Sequence, residues 1–155
     1  MAVSRQKQKG RRESGTFAAL PHMVMDSEDF RALSGGALKV LMGLLRQLKA
    51  ANNGDLSASF GQAEEWGVRS KSTLSAALEE LQARNLITRT REGRFTNPGG
   101  RCALYALTWR PINECGGKIE VSPTITPPRK FSIKTTDHPV QKVYPERTET
   151  VRTEA

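Results

Sequence analysis

The sequence predicts an α+β domain, mainly helical with one small antiparallel β-sheet, between a disordered basic N-terminal arm and a Pro-rich C-terminal tail. Three observations carry that prediction. The stretch from Phe60 to Asn85 reads as two helices with a tight turn at Gly67. A strongly apolar helical pattern precedes it, from Gly35 to Asn52. Two strand-like runs follow it, Leu86–Arg91 and Arg101–Trp109, separated by a loop rich in Gly and Pro.

A chain of 155 residues suits one domain with tails. The formal charge is +8, from 24 basic and 16 acidic residues. An excess of that size favours nucleic acid, an anionic membrane or an acidic protein as partner and says nothing about fold. A soluble protein with basic tails is the alternative reading of the charge. The two cysteines, Cys102 and Cys115, have no further Cys or His at metal spacing, so a reduced pair is expected. The N-terminus lacks the apolar region of a signal peptide, and no apolar run approaches the roughly 20 residues that span a bilayer. A cytoplasmic location without membrane association is the resulting expectation.

Residues 1–15 hold Arg5, Lys7, Lys9, Arg11 and Arg12 against one acid, Glu13. Such a segment cannot bury a core and reads as a disordered arm, suited to phosphates or to solubility. From Thr16 the character changes. Phe17 and Leu20 suggest a short edge strand ended by Pro21. Asp26 or Ser27 can cap a short helix that turns Phe30 and Leu33 inward. His22 has no partner nearby in the sequence and reads as structural.

Ser34 caps the apolar helix. Ala37, Leu41, Leu44, Leu45 and Leu48 recur at helical spacing, and Leu38 and Val40 widen the stripe. This should be the central core helix, stopped by Asn52, Asn53 and Gly54. Asp55 to Ser59 then reads as a short extended piece with Leu56 inward.

In the paired helices, Phe60, Ala63 and Trp66 can face the core, and Val68 fills the angle of the turn. Ser70 caps the second helix. With Leu74 at the centre of its buried face, Ala77, Leu78 and Leu81 fall beside it. The exposed first half is then Lys71, Ser72, Thr73, Ser75 and Ala76, with Arg69 just before. Small residues let a helix approach the floor of a major groove, hydroxyls can bond bases or phosphates, and free N–H groups at the helix start suit a phosphate. Glu79 and Glu80 limit that zone to the N-terminal half, because carboxylates are repelled by DNA; both read as surface acids.

The loop Arg91–Gly100 makes the two strands a hairpin, or wing, bearing Arg89, Arg91, Arg94 and Arg101 with Phe95 near its tip. Arginines there can clamp phosphates or enter a minor groove. From Pro111 onward prolines recur without apolar periodicity. Lys118–Val121 could add a short strand, and disorder is expected beyond Lys130.

The run GVRSKSTLSAALEELQARNLITRT, together with the preceding FAALPHMVMDSEDFRALSGGALKVLMGLLRQLKAANNGDLSAS, resembles small bacterial and phage winged helix-turn-helix proteins. It is also similar to the winged-helix part of plasmid and phage replication initiators. The resemblance spans Phe17 to Trp109, so residues 16–110 form the expected domain and 111–155 a largely disordered tail. It implies sequence-specific double-stranded DNA binding, as a phage-type transcriptional regulator or a replication-associated protein. The implied contacts come from the reading helix (Arg69, Ser70, Lys71, Ser72, Thr73, Ser75 and Ala76) and the wing (Arg89, Arg91, Arg94 and Arg101). No long helix follows the wing, so the dimerising helix of many winged-helix repressors is missing, and monomer or weak dimer both stay open. The alternative is a winged helix that binds a replisome or transcription protein, with the C-terminal tail as a further contact. Two distant histidines, and no nucleophile elbow, phosphate loop or paired carboxylates, argue against an enzyme, so no cofactor or metal is expected.

Overall fold

The computed structural model describes residues 15–96, 99–129 and 131. The expected basic arm, apart from residue 15, lies outside them, as do the loop dipeptide at 97–98 and the chain beyond residue 131. The elements run α1 (His22–Met25), α2 (Glu28–Arg31), α3 (Gly35–Gln47), β1 (Leu56–Ser57), α4 (Phe60–Glu65), α5 (Lys71–Ala83), β2 (Ile87–Arg91) and β3 (Leu104–Leu107), then a 3-10 turn at Cys115–Gly117. The sheet is antiparallel with β3 in the middle, in the order β1-β3-β2.

Each longer helix begins at a serine. Ser34, Ser59 and Ser70 have extended backbone, and their side chains accept from the N–H of Ala37, Gln62 and Thr73. Each bond satisfies one of the free donors of a first turn. At Ser59 the Gln62 side chain reaches back to the Ser59 N–H, completing a capping box.

The ends of α4 and α5 share one geometry. After α4, Gly67 has φ +86°, its N–H donates to Glu64 O, and the Val68 N–H donates to Ala63 O. After α5, Asn85 has φ +57°, with Asn85 N–H to Gln82 O and Leu86 N–H to Leu81 O. These are Schellman closures, in which a left-handed residue satisfies the last carbonyls. Val68 packs back near Ala63, and Leu86 near Leu81, all four buried. The first closure sends the chain from α4 into α5; the second sends it into β2.

The core is where the apolar stripes meet. Val40, Leu41, Leu44 and Leu45 of α3, Leu74, Ala77 and Leu81 of α5, and Leu56, Ile87, Tyr105 and Leu107 of the sheet form one buried cluster. Among the helices, α3 and α5 make the most extensive pairing. One buried aliphatic side chain contributes roughly 1.5–3 kcal/mol relative to exposure. Gly43 lies in this layer because the Trp66 ring lies against it: a Cβ there would stand 2.1 Å from a ring carbon.

Several expectations are corrected. Phe17 and Leu20 form no strand; Phe17 is exposed, and Leu20 only leans on the core. An additional short helix, α1, fills that region and buries Val24. The apolar helix stops at Gln47, five residues early, because Leu48 turns to extended backbone and the Asn52 side chain caps the break, accepting from Lys49 N and donating to Gln47 O. Leu38 lies outward rather than widening the buried stripe.

Asn53, expected only as a helix stop, is a buried hub. Its Nδ2 reaches the carbonyls of Leu107 (3.0 Å), Arg110 (3.2 Å) and Pro111 (3.0 Å), and its Oδ1 accepts from Leu107 N at 2.8 Å. It ties the end of β3 and the chain after it to the loop before β1.

The packed body also continues past the expected boundary at residue 110. Ile112 and Phe131 are buried. Asn113, Glu120 and Arg129 donate backbone N–H bonds to Asn53 O, Thr90 O and Thr108 O. Residues 111–129 are therefore irregular yet fixed, held by hydrogen bonds rather than by periodic apolar faces. No strand forms at Lys118–Val121. Among the described residues, no helix is long and apolar enough to cross a membrane.

Candidate nucleic-acid interface

On α5, Leu74, Ala77 and Leu81 point into the core, and Ser72, Ser75, Ala76 and Glu79 are exposed. A 100° step per residue puts Ser72 and Glu79 at the centre of the outward face, with Ser75 and Ala76 on either side. The first two turns thus present small side chains, and Glu79 follows about 10 Å further along the axis from Ser72. Arg69 and Lys71 are exposed at the helix start.

The two flanks of α5 differ. On one flank, Ser72, Thr73 and Ala76 border the start of α3, where the Thr73 methyl lies against Gly36. Glu80 lies on this flank and is not a free surface acid. Its carboxylate accepts from Ser34 N (2.9 Å) and Ser34 Oγ (2.6 Å), so it caps α3 from a neighbouring helix. A carboxylate at a helix N-terminus is favourably placed against the dipole. The reading of Glu80 as a plain surface acid is corrected accordingly: a tertiary contact holds it, which no sequence spacing announces.

On the other flank, Lys71, Ser75, Leu78 and Glu79 form one wall of a groove of about 780 Å³. The hairpin forms the other wall, with Arg89, Arg94, Phe95, Arg101 and Tyr105. Phe60 and Leu74 contribute to its lining, and Lys71 Nζ stands 5.8 Å from the Phe60 ring centre, a cation–π distance. Residues named from the helix and from the hairpin therefore meet across one cleft.

The structure separates the four hairpin arginines. Arg89 pairs with Glu92 at 3.0 Å and lies 5.8 Å from the Tyr105 ring centre. Burial works against its charge, but Tyr105 and Glu92 outweigh that and raise its pKa. Arg91 donates to Cys102 O across the hairpin at 2.9 Å. Arg101 pairs with Glu120, from the segment after β3. Burial and the like charges of Arg94 and Arg91 push its guanidinium below the ordinary value. Arg94 is exposed, and its backbone forms an isolated bridge with Arg101. Arg94, Arg69 and Lys71 are thus the cations of the expected set whose heads are least committed within the chain. Arg89, Arg91 and Arg101 also serve as struts of the hairpin.

The strut arrangement depends on a bulge. The register is regular from Ile87 to Arg89 and shifts before Arg91. Thr90 is buried there, donating Oγ1–H to Gly54 O at 2.6 Å. One extra residue re-aims the side chains that follow, so strict alternation fails beyond Arg89.

Sequence reasoning missed Glu120, whose carboxylate also accepts from Glu92 N at 3.2 Å. Its partners lie 19 and 28 residues away, beyond any local pattern. Among the described residues, no group of three or more His, Cys, Asp and Glu side chains could hold a metal ion. No protein-family model, curated protein or solved structure matches the chain.

Proposed function

We propose that this chain is a winged helix-turn-helix protein that binds double-stranded DNA sequence-specifically, as a phage-type transcriptional regulator or a replication-associated protein. In this reading α5 enters the major groove by its first two turns, and the β2–β3 hairpin acts as the wing. One observation carries it: Lys71 and Ser75, at the exposed and partly basic start of α5, line the same cleft as Arg89, Arg94 and Arg101 of the hairpin. Lys71 and Ser75 are positioned for base edges or phosphates, and Arg69 and Arg94 for phosphates. The net charge of +8 favours the encounter.

The test is a gel-shift assay on duplexes selected from random sequence. Lys71→Ala should weaken specific binding by about 1–3 kcal/mol if Lys71 contacts a base. Unchanged affinity and specificity would remove it from the reading set. Arg94→Ala should weaken binding to all duplexes and reduce the salt slope by about 1; an unaltered slope would rule out a phosphate contact there.

A second reading, a winged helix that binds a protein, draws on the cleft's apolar lining: Phe60, Leu74, Leu78 and Tyr105. Failure to bind any duplex at low salt, together with binding to a replication or transcription protein, would favour it.

A further inference from the structure

We propose that Phe95 is a wedge that enters the minor groove beside the α5 site and partly unstacks one base step. The hairpin tip would then read the deformability of DNA. The inference rests on the DNA-binding reading above and adds a specificity determinant to it.

Phe95 is fully exposed, at 104 % of its reference area. It follows Arg94, whose N–H and C=O both pair with Arg101, at 2.8 and 2.9 Å. The stem of the hairpin is therefore hydrogen-bonded up to the residue before the ring. Below that pair, Arg91 bonds across to Cys102 O and Glu120 holds both Arg101 and the Glu92 N–H. The ring is presented from a braced stem.

Phe95 also borders the cleft that Lys71 and Ser75 line. One flank of α5 and the ring thus border the same cleft. The cleft beside the ring is basic in balance: Lys71, Arg89, Arg94 and Arg101 line it against Glu79 and Glu92. Arg94, next to the ring, is exposed, whereas Glu92 and Glu120 pair with Arg89 and Arg101. A partner for this tip must offer an apolar slot flanked by negative charge. A base step in a minor groove, bordered by two phosphate backbones, has that chemistry, and apolar side chains inserted there partly unstack and kink the duplex. Pyrimidine–purine steps such as TA and CA open most easily, whereas A-tracts resist. The preference would fall on a step that no side chain reads by hydrogen bonds.

The experiment uses the full chain and its selected duplex, with 2-aminopurine placed at successive steps beside the α5 contact. The wild-type protein should raise the fluorescence at one step and bend the duplex. Phe95→Ala should abolish the rise and lower affinity on the order of tenfold for a TA step there, with little change for an A-tract. Phe95→Leu should retain part of the signal, and neither variant should alter the melting temperature. A duplex that binds with no fluorescence rise, or a rise and affinity that survive Phe95→Ala, would overturn the wedge while leaving DNA binding intact. A chain that binds no duplex would overturn both.

Discussion

Asn53 shows what one side chain can fix in this protein. It is 1 % exposed, and its amide bonds to four backbone groups between Leu107 and Pro111. A buried amide in hydrocarbon would be costly without those partners. With them, it holds the end of β3 and the following chain in one position. Asn53→Ala should lower unfolding stability by about 2–4 kcal/mol, because it leaves buried carbonyls and an N–H unpaired. Urea denaturation measures it, and a loss under 1 kcal/mol would mean that water or the neighbouring Asn113 replaces the amide. Glu80 makes the same point at the surface. Its two bonds to Ser34 link α5 to the start of α3. Its role is thus set by a residue 46 positions away.

At the scale of elements, the orientation of α5 depends on how α3 and α4 touch. The Trp66 ring lies on Gly43, and Gly67 and Val68 turn the chain directly afterwards. A methyl group at residue 43 would overlap the ring, so Gly43→Ala should destabilise the fold by about 1–3 kcal/mol. Thermal unfolding tests this, and an unchanged melting temperature would show that the ring moves aside freely. The hairpin has a comparable dependency. Its bulge at Thr90 is anchored to Gly54 O, and its arginines are braced by Glu92, Cys102 O and Glu120. An edge problem is solved locally as well: the Gln47 side chain bonds both the N–H and the carbonyl of Ser57, covering backbone that β1 would otherwise present unpaired.

At the scale of the molecule, the segment after β3 is part of the body. Through residue 131 it buries Ile112 and Phe131 and hydrogen-bonds to Asn53, Thr90 and Thr108. A chain ending at residue 110 should lose roughly 3–5 kcal/mol against one ending at residue 131, from burial and hydrogen bonds together. Equal urea midpoints for the two would show the segment to be passive.

The sequence by itself determined the helices that bury a stripe and begin at a serine. In α3 and α5 the periodicity, the caps at Ser34 and Ser70, and the turn glycine before α5 follow from local chemistry, whereas Ser59, expected as the end of an extended piece, also caps α4. It also determined the outward face of α5, since a helix that buries Leu74, Ala77 and Leu81 must expose Ser72 and Ser75. Only the tertiary structure decided which charges remain available. Arg91, Arg101 and Glu80 looked alike as solvated side chains in the sequence, yet each is bound by a group distant in the chain or across the hairpin. The structure alone also decided that residues 111–129 pack, because they pair through backbone groups that leave no periodic mark in the side chains. Periodicity reports the face that an element buries; the partners of a polar group depend on contacts made through space.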